Sequence, residues 1–142
     1  MTTVSSEEIG KGFEIEGRTS PWHDLFLVAG FNYNDVRENK TGTIKLMPLN
    51  VTKLSLNYVN VKFGFSGILV GSQVNWPTGA GNSVHDKQIV WDLHLSQKLA
   101  KYGSVTPEIF FSGRNLFNNA QYIDNYRTNT PSWFEGGMRM SF

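Results

Sequence analysis

WFEGGMRMSF, Trp133 to Phe142, is the stretch that decides the fold. Phe134, Gly136, Met138, Met140 and Phe142 occupy every second position, and Glu135, Gly137, Arg139 and Ser141 lie between them. Side chains of an extended strand point alternately to its two faces, so one face here is apolar or small and the other polar or small. Working outward, the same period recurs. Phe13, Ile15 and Gly17 alternate with Glu14, Glu16 and Arg18, and Leu54, Leu56 and Tyr58 with Lys53, Ser55 and Asn57. Leu25, Leu27, Ala29, Phe31 and Tyr33 share a face, with Asn32 and Asn34 opposite. Trp91, Leu93 and Leu95 alternate with Asp92, His94 and Ser96. Ile109 and Phe111 alternate with Glu108, Ser112 and Arg114, although Phe110 interrupts the polar side. Between Phe63 and Trp76 the pattern is less clean. Phe65 and Leu69 fall on one face and Ile68, Val70 and Val74 on the other, so a β-bulge is expected there.

These patterns predict an all-β chain of about seven antiparallel up-and-down strands, over residues 11–18, 24–36, 52–60, 63–76, 89–99, 105–117 and 133–142. Most are longer than the roughly 5–6 residues usual in soluble proteins. They match the roughly 9–11 residues that cross a bilayer. The connectors alternate as well: 19–23, 61–62 and 100–104 are short, while 37–51, 77–88 and 118–132 are long and polar. Short turns at one end and long loops at the other characterise transmembrane barrels.

Composition narrows the function classes. The 142 residues are 39% hydrophobic and 13% aromatic, which argues against global disorder. A formal net charge of +1 gives no broad attraction to nucleic acid. Cysteine is absent, which excludes disulfides, thiolate metal sites and cysteine nucleophiles. No apolar run approaches the length of a transmembrane helix. The opening MTTVSSEEIGKG lacks a basic start followed by an apolar core, so no signal peptide is expected in it.

Several motifs, in order, resemble one family. GKGFEIEG (Gly10 to Gly17) looks like a strand found late in the barrels of TonB-dependent outer-membrane receptors, and LFLVAGFNYND (Leu25 to Asp35) like the strand after it. MPLNVTKLSLNY (Met47 to Tyr58) is similar to the family's passage from a loop with a proline into the next strand. SGRNLFNNAQY (Ser112 to Tyr122) resembles the penultimate-strand motif that carries Asn115, Leu116, Phe117 and Tyr122, and the chain closes on EGGMRMSF. The resemblance covers residues 10–142 and leaves 1–9 as an N-terminal remnant. It implies the C-terminal segment of a large outer-membrane β-barrel with a plug inside, importing a scarce ligand such as an iron–siderophore complex, haem or cobalamin. Alone, the segment is expected to be an open curved sheet. The partners implied are outer-membrane lipid, the barrel assembly machinery, the missing strands and plug of a parent receptor, and the TonB complex through that parent only. The family's terminal strand is an assembly signal, here Phe134, Met138, Met140 and Phe142. In the family's orientation Trp22, Tyr58, Phe63, Phe65, Tyr102 and Phe142 lie near the short turns. Tyr33, Trp76, Trp91, Trp133 and Phe134 lie near the long loops, as two interfacial girdles would.

Chemistry-bearing residues read as scaffold. His23, His85 and His94 lack metal-ligand spacing. Glu14, Glu16, Asp92, Glu108 and Glu135 share polar faces with Arg18, Arg114 and Arg139, as on a hydrated, charge-balanced lumen wall, rather than pairing as catalytic acid and base. Gly79-Ala80-Gly81 reads as loop backbone freedom, and Asn115-Leu116-Phe117 as strand termination. Neither an enzyme activity nor a cofactor or metal is expected. The competing expectations are a soluble β-sandwich or small barrel that binds a ligand, and a gene fragment without function. A soluble protein would turn Leu93, Leu95, Met138 and Met140 into a core, whereas a barrel would turn them to lipid.

Overall fold

The computed structural model describes residues 7–43, 47–77, 88–120 and 131–142. They form one open antiparallel sheet of seven strands in the order β1 to β7: Glu8–Arg18, Leu25–Glu38, Asn50–Asn60, Phe65–Asn75, Gln88–Lys98, Thr106–Arg114 and Trp133–Ser141. Each strand pairs with its sequence neighbours only. The strands run from 9 to 14 residues. Among the described residues there is no helix.

Register turns seven alternating patterns into one surface. Phe13 lies opposite Tyr33 and Ile15 opposite Phe31. Leu27 meets Leu56, which meets Leu69, which meets Leu93. Leu95 meets Phe111, Phe111 meets Gly136, and Ile109 meets Met138. Because directly opposed residues share a face, the apolar positions of every strand lie on the same side of the sheet. The other side carries Glu14, Glu16, Lys53, Asp92, His94, Glu108, Arg139 and Glu135. Its register pairs include Glu14 with Asn32, His94 with Ser112, and Glu108 with Arg139.

No bulge interrupts β4. Its pairing with β3 steps evenly from Asn60–Phe65 to Asn50–Asn75, and its pairing with β5 is equally regular. Ile68, Val70 and Val74 therefore do face the charged side, where Val51 stands opposite Val74 and His94 opposite Ile68. The middle of that side mixes the aliphatic Val51, Ile68, Val70 and Val74 with Lys53, Ser55, Asn57 and Ser72. The expected placement of Ile68, Val70 and Val74 on the face opposite Phe65 and Leu69 holds, without the bulge.

Strand ends also shift from expectation. β1 begins at Glu8, inside the expected remnant, because β2 extends to Glu38 and supplies partners for Glu8 and Ile9. Asn39 prolongs the ladder by donating its backbone N–H to the Glu7 carbonyl at 2.8 Å. β6 stops at Arg114, three residues short of the expected limit.

Connectors 19–24, 61–64 and 99–105 lie at one end of the sheet, and at the other end β2, β4 and β6 pass into the longer connectors that precede β3, β5 and β7. The expected Gly79-Ala80-Gly81 run and His85 fall outside the described residues, as does the segment 44–46. The short connectors are tight turns. Trp22 and Leu25 exchange two backbone hydrogen bonds of 2.8 and 3.0 Å around His23 and Asp24, both at positive φ (49° and 65°). Two positive φ values mark a type I′ turn, whose twist matches the flanking strands. Tyr102 and Val105 exchange a similar pair of bonds around Gly103, which has φ 61°.

Among the described residues the sheet has no second layer. Among the described residues no hydrophobic side chain is buried. The surface area is 10273 Å², against about 7,400 Å² for a compact protein of this mass. Rings instead settle over glycines of the neighbouring strand. A Cβ on Gly71 would meet the Trp91 ring at 2.7 Å, and one on Gly137 would meet Phe110 at 2.8 Å.

The turn glycines give a graded test. Gly103 has positive φ with nothing within 4 Å of a built Cβ, whereas Gly64 (φ 66°) places that Cβ 2.9 Å from Lys98 Cβ. Gly103→Ala is expected to cost about 1 kcal/mol through backbone strain alone. Gly64→Ala should cost visibly more. Denaturant midpoints of the two variants compare them directly.

Candidate functional site

Two surfaces and one polar junction gather the residues singled out in the sequence. The junction forms where β6 ends. Asn115 adopts φ 48°, a left-handed conformation that asparagine tolerates, and the strand stops. Its side chain is 3% exposed. The Asn115 backbone N–H donates to Asp92 Oδ1 on β5 at 2.8 Å, and the next amide, of Leu116, donates to the Trp91 carbonyl at 2.9 Å. The Asn115 side chain closes a ring with Asn119: Nδ2 donates to the Asn119 carbonyl and Oδ1 accepts from the Asn119 amide, each at 2.9 Å. Asn119 Nδ2 then donates to the Ile89 carbonyl at 2.7 Å. Asn118 (φ 52°) accepts a bond from the Ser132 amide at 3.1 Å, just before β7. Strands β5, β6 and β7 are thus tied together at the long-loop end by one run of residues, Asn115 to Asn119.

The expected role of Asn115-Leu116-Phe117 in ending the strand is what the structure has. Leu116 reaches further than expected: Leu116 and Phe134 both lie against Gly113, at 2.7 and 2.9 Å from a Cβ built there. Phe134 also stacks on Phe111, with centroids 6.1 Å apart and planes 16° apart. Phe117 stays 69% exposed. Tyr122 lies outside the described residues. The parts missed in the sequence were Asp92 and Asn119. The available signal was three asparagines, at 115, 118 and 119, packed around a strand end.

The apolar surface contains Phe134, Met138 and Met140 of β7, each more than half exposed, and continues through Ile109, Leu95, Leu56 and Ile15. Phe142 is 93% exposed beyond the end of β7. Aromatics expected near the short turns do lie at that end: Trp22, Phe63 and Tyr102 in the turns, and Tyr58 and Phe65 beside them, opposite Leu25 and Asn60. Tyr33, Trp76, Trp133 and Phe134 lie toward the long loops, and Trp91 is four residues from that end of β5.

The charged surface is held by short-range pairs. Arg139 meets Glu108 at 3.4 Å and its guanidinium lies 5.8 Å from the Phe110 ring. His94 Nδ1 is 2.8 Å from Ser112 Oγ, and Ser66 Oγ is 2.8 Å from Ser96 Oγ. Arg18 covers the Phe26 ring at 4.1 Å. Among the described residues no three acidic or histidine side chains gather as metal ligands would. A hydroxyl–imidazole contact without a third group to orient it is half of a nucleophilic arrangement. Asp92, the nearest carboxylate in sequence, instead accepts from Asn115.

No family model, curated protein or solved structure matches this chain. Its resemblance to receptor barrels therefore rests on the motifs quoted above.

Asn115→Ala removes the two side-chain bonds to the Asn119 backbone and puts alanine at a positive φ. It should lower stability by about 2 kcal/mol and speed hydrogen exchange at Leu116 and Ser132. Phe117→Ala should change stability by less than about 0.5 kcal/mol, as an exposed substitution does. Thermal melts and exchange rates separate the two.

Proposed function

We propose that this chain is a wall segment of an outer-membrane β-barrel, the C-terminal barrel part of a TonB-dependent receptor. One observation carries the reading: an apolar face runs across seven strands and nothing among the described residues covers it. In water such a face would drive aggregation, whereas in a bilayer it is the solvent-facing side. From Leu25 to Tyr33 the face spans eight residue steps, about 27 Å along the strand. At the roughly 40° tilt of barrel strands this is about 20 Å across the membrane, close to the usual apolar band once girdle aromatics are included.

In this reading the charged face lines the lumen, and its aliphatic Val51, Ile68, Val70 and Val74 offer contact to a plug. The long connectors face outward, where such receptors meet their ligand, and the transported compound is an iron–siderophore, haem, cobalamin or similar molecule. The work is structural and selective rather than catalytic. Phe134, Met138, Met140 and Phe142 present the terminal strand to the assembly machinery, and TonB acts only through the whole receptor.

The open edges define what completes the wall. Six antiparallel steps leave β1 and β7 running in the same direction. The sheet cannot close on itself by antiparallel pairing, and a complement must supply an odd number of strands. Unpaired edges are not tolerated in lipid. The full chain refolded alone in detergent should therefore self-associate rather than elute as a monodisperse monomer with a cooperative melt. Size-exclusion chromatography with circular dichroism reads this, and a stable monomer would favour a small self-contained barrel.

Membrane placement has its own test. Spin labels at Leu93, Leu95 and Met140 should be accessible to oxygen, and labels at Asp92, His94 and Arg139 to water-soluble relaxants. Immobilised, inaccessible labels at the first set would point to a soluble sandwich. Met140→Asp sets a charge on the lipid face, costing up to about 2 kcal/mol. It should reduce insertion of a complete receptor carrying this segment.

A further inference from the structure

Each of the three short turns carries an aromatic residue next in sequence to a lysine or histidine, and the three turns share one rim. Trp22 meets His23 edge-on, with centroids 4.6 Å apart. Lys62 Nζ lies 5.7 Å from the Phe63 ring centre. Lys101 directly precedes Tyr102. The rings project freely, with Trp22 71%, Phe63 68% and Tyr102 87% exposed. Three separate turns with different geometries converge on one pattern, so the pattern does not follow from any one turn's backbone needs.

Charge on the two rims differs. Within the short turns the lone carboxylate is Asp24, and Asn60 Nδ2 donates to its Oδ2 at 2.7 Å. Lys62 and Lys101 have no carboxylate beside them within their turns. At the long-loop rim the basic groups sit among acids: Arg37 pairs with Asp35 at 2.9 Å, and Glu7, Glu8 and Glu38 stand close by.

We infer that the short-turn rim binds anionic phospholipid headgroups, with Lys62 and Lys101 meeting phosphate and Trp22, Phe63 and Tyr102 seated at the headgroup level. This rests on the wall reading above, which puts the rim at a membrane surface. Amphipathic rings favour that level, and a lysine near an anionic surface adds attraction of about fivefold in affinity. The ring holds its basic neighbour close to the interface, where a phosphate is within reach and screening is weaker than in bulk. The occupant is a lipid rather than free phosphate because the rings, not the lysines alone, dominate the exposed rim.

The test is flotation of the full chain with vesicles of phosphatidylcholine, alone or with roughly one-third phosphatidylglycerol. Binding should be stronger to the anionic vesicles at low salt. Lys62→Gln with Lys101→Gln should remove that preference, a loss of about 25-fold, while binding to phosphatidylcholine and the circular dichroism signal of strand stay as they were. Lys11→Gln, at the opposite rim, should keep the preference. Trp22→Ala with Tyr102→Ala should weaken binding to both vesicles alike. An unchanged preference in the double lysine variant, or none in the original chain, overturns the headgroup inference and leaves the wall reading standing. Failure to bind either vesicle overturns the rim inference, and the spin-label test decides the wall reading separately.

Discussion

Everything in this molecule depends on cross-strand register. Side chains alternate along a strand, so a slip of one residue between neighbours would carry a whole apolar set to the opposite face. Here six pairings keep even steps, and the alternating positions of seven strands fall on one side. The tight turns help to hold that register at one end. His23-Asp24 and Gly103 take up positive φ so that the ladder resumes without a skipped residue. Large rings then fit because glycines face them, as Gly71 does Trp91 and Gly113 does Phe134.

The two ends of the sheet are organised by different physics. At the short-turn end backbone geometry does the work, and side chains are left exposed. At the long-loop end a polar cluster does it. Asp92, Asn115, Asn118 and Asn119 satisfy backbone groups of three strands where the ladder stops. Buried backbone groups need partners, and asparagine supplies both a donor and an acceptor while tolerating left-handed backbone. That explains why the motif ends a strand so tightly.

A single sheet with an uncovered apolar side and two open edges is an incomplete solution to folding in water. Soluble domains bury such a face against a second layer. The charged side is better satisfied, since Arg139–Glu108, His94–Ser112 and Ser66–Ser96 form across the ladder. Its middle adds aliphatic Val51, Val74, Val70 and Ile68 among Lys53, Ser55 and Ser72. Together the faces give the sheet two chemically different sides.

The all-β class, the number of strands, their approximate limits and the alternation of short and long connectors were legible in the sequence, because strand periodicity and turn residues are local properties. The Asn115-Leu116-Phe117 motif was legible as a strand end, but the strand was expected to run to 117 and stops at Arg114. Whether the seven apolar faces coincide was not legible, because relative register is set between strands and not within them. The same ambiguity made Ile68, Val70 and Val74 resemble a bulge, when pairing with β3 and β5 keeps β4 regular. The extension of β1 to Glu8 required β2 to reach Glu38, and the bonds from Asp92 to Asn115 and from Asn119 to Ile89 join residues more than twenty positions apart. Local chemistry determined what each segment could become. Only the tertiary structure decided which segments met, because hydrogen-bonded pairing is a property of two strands at once.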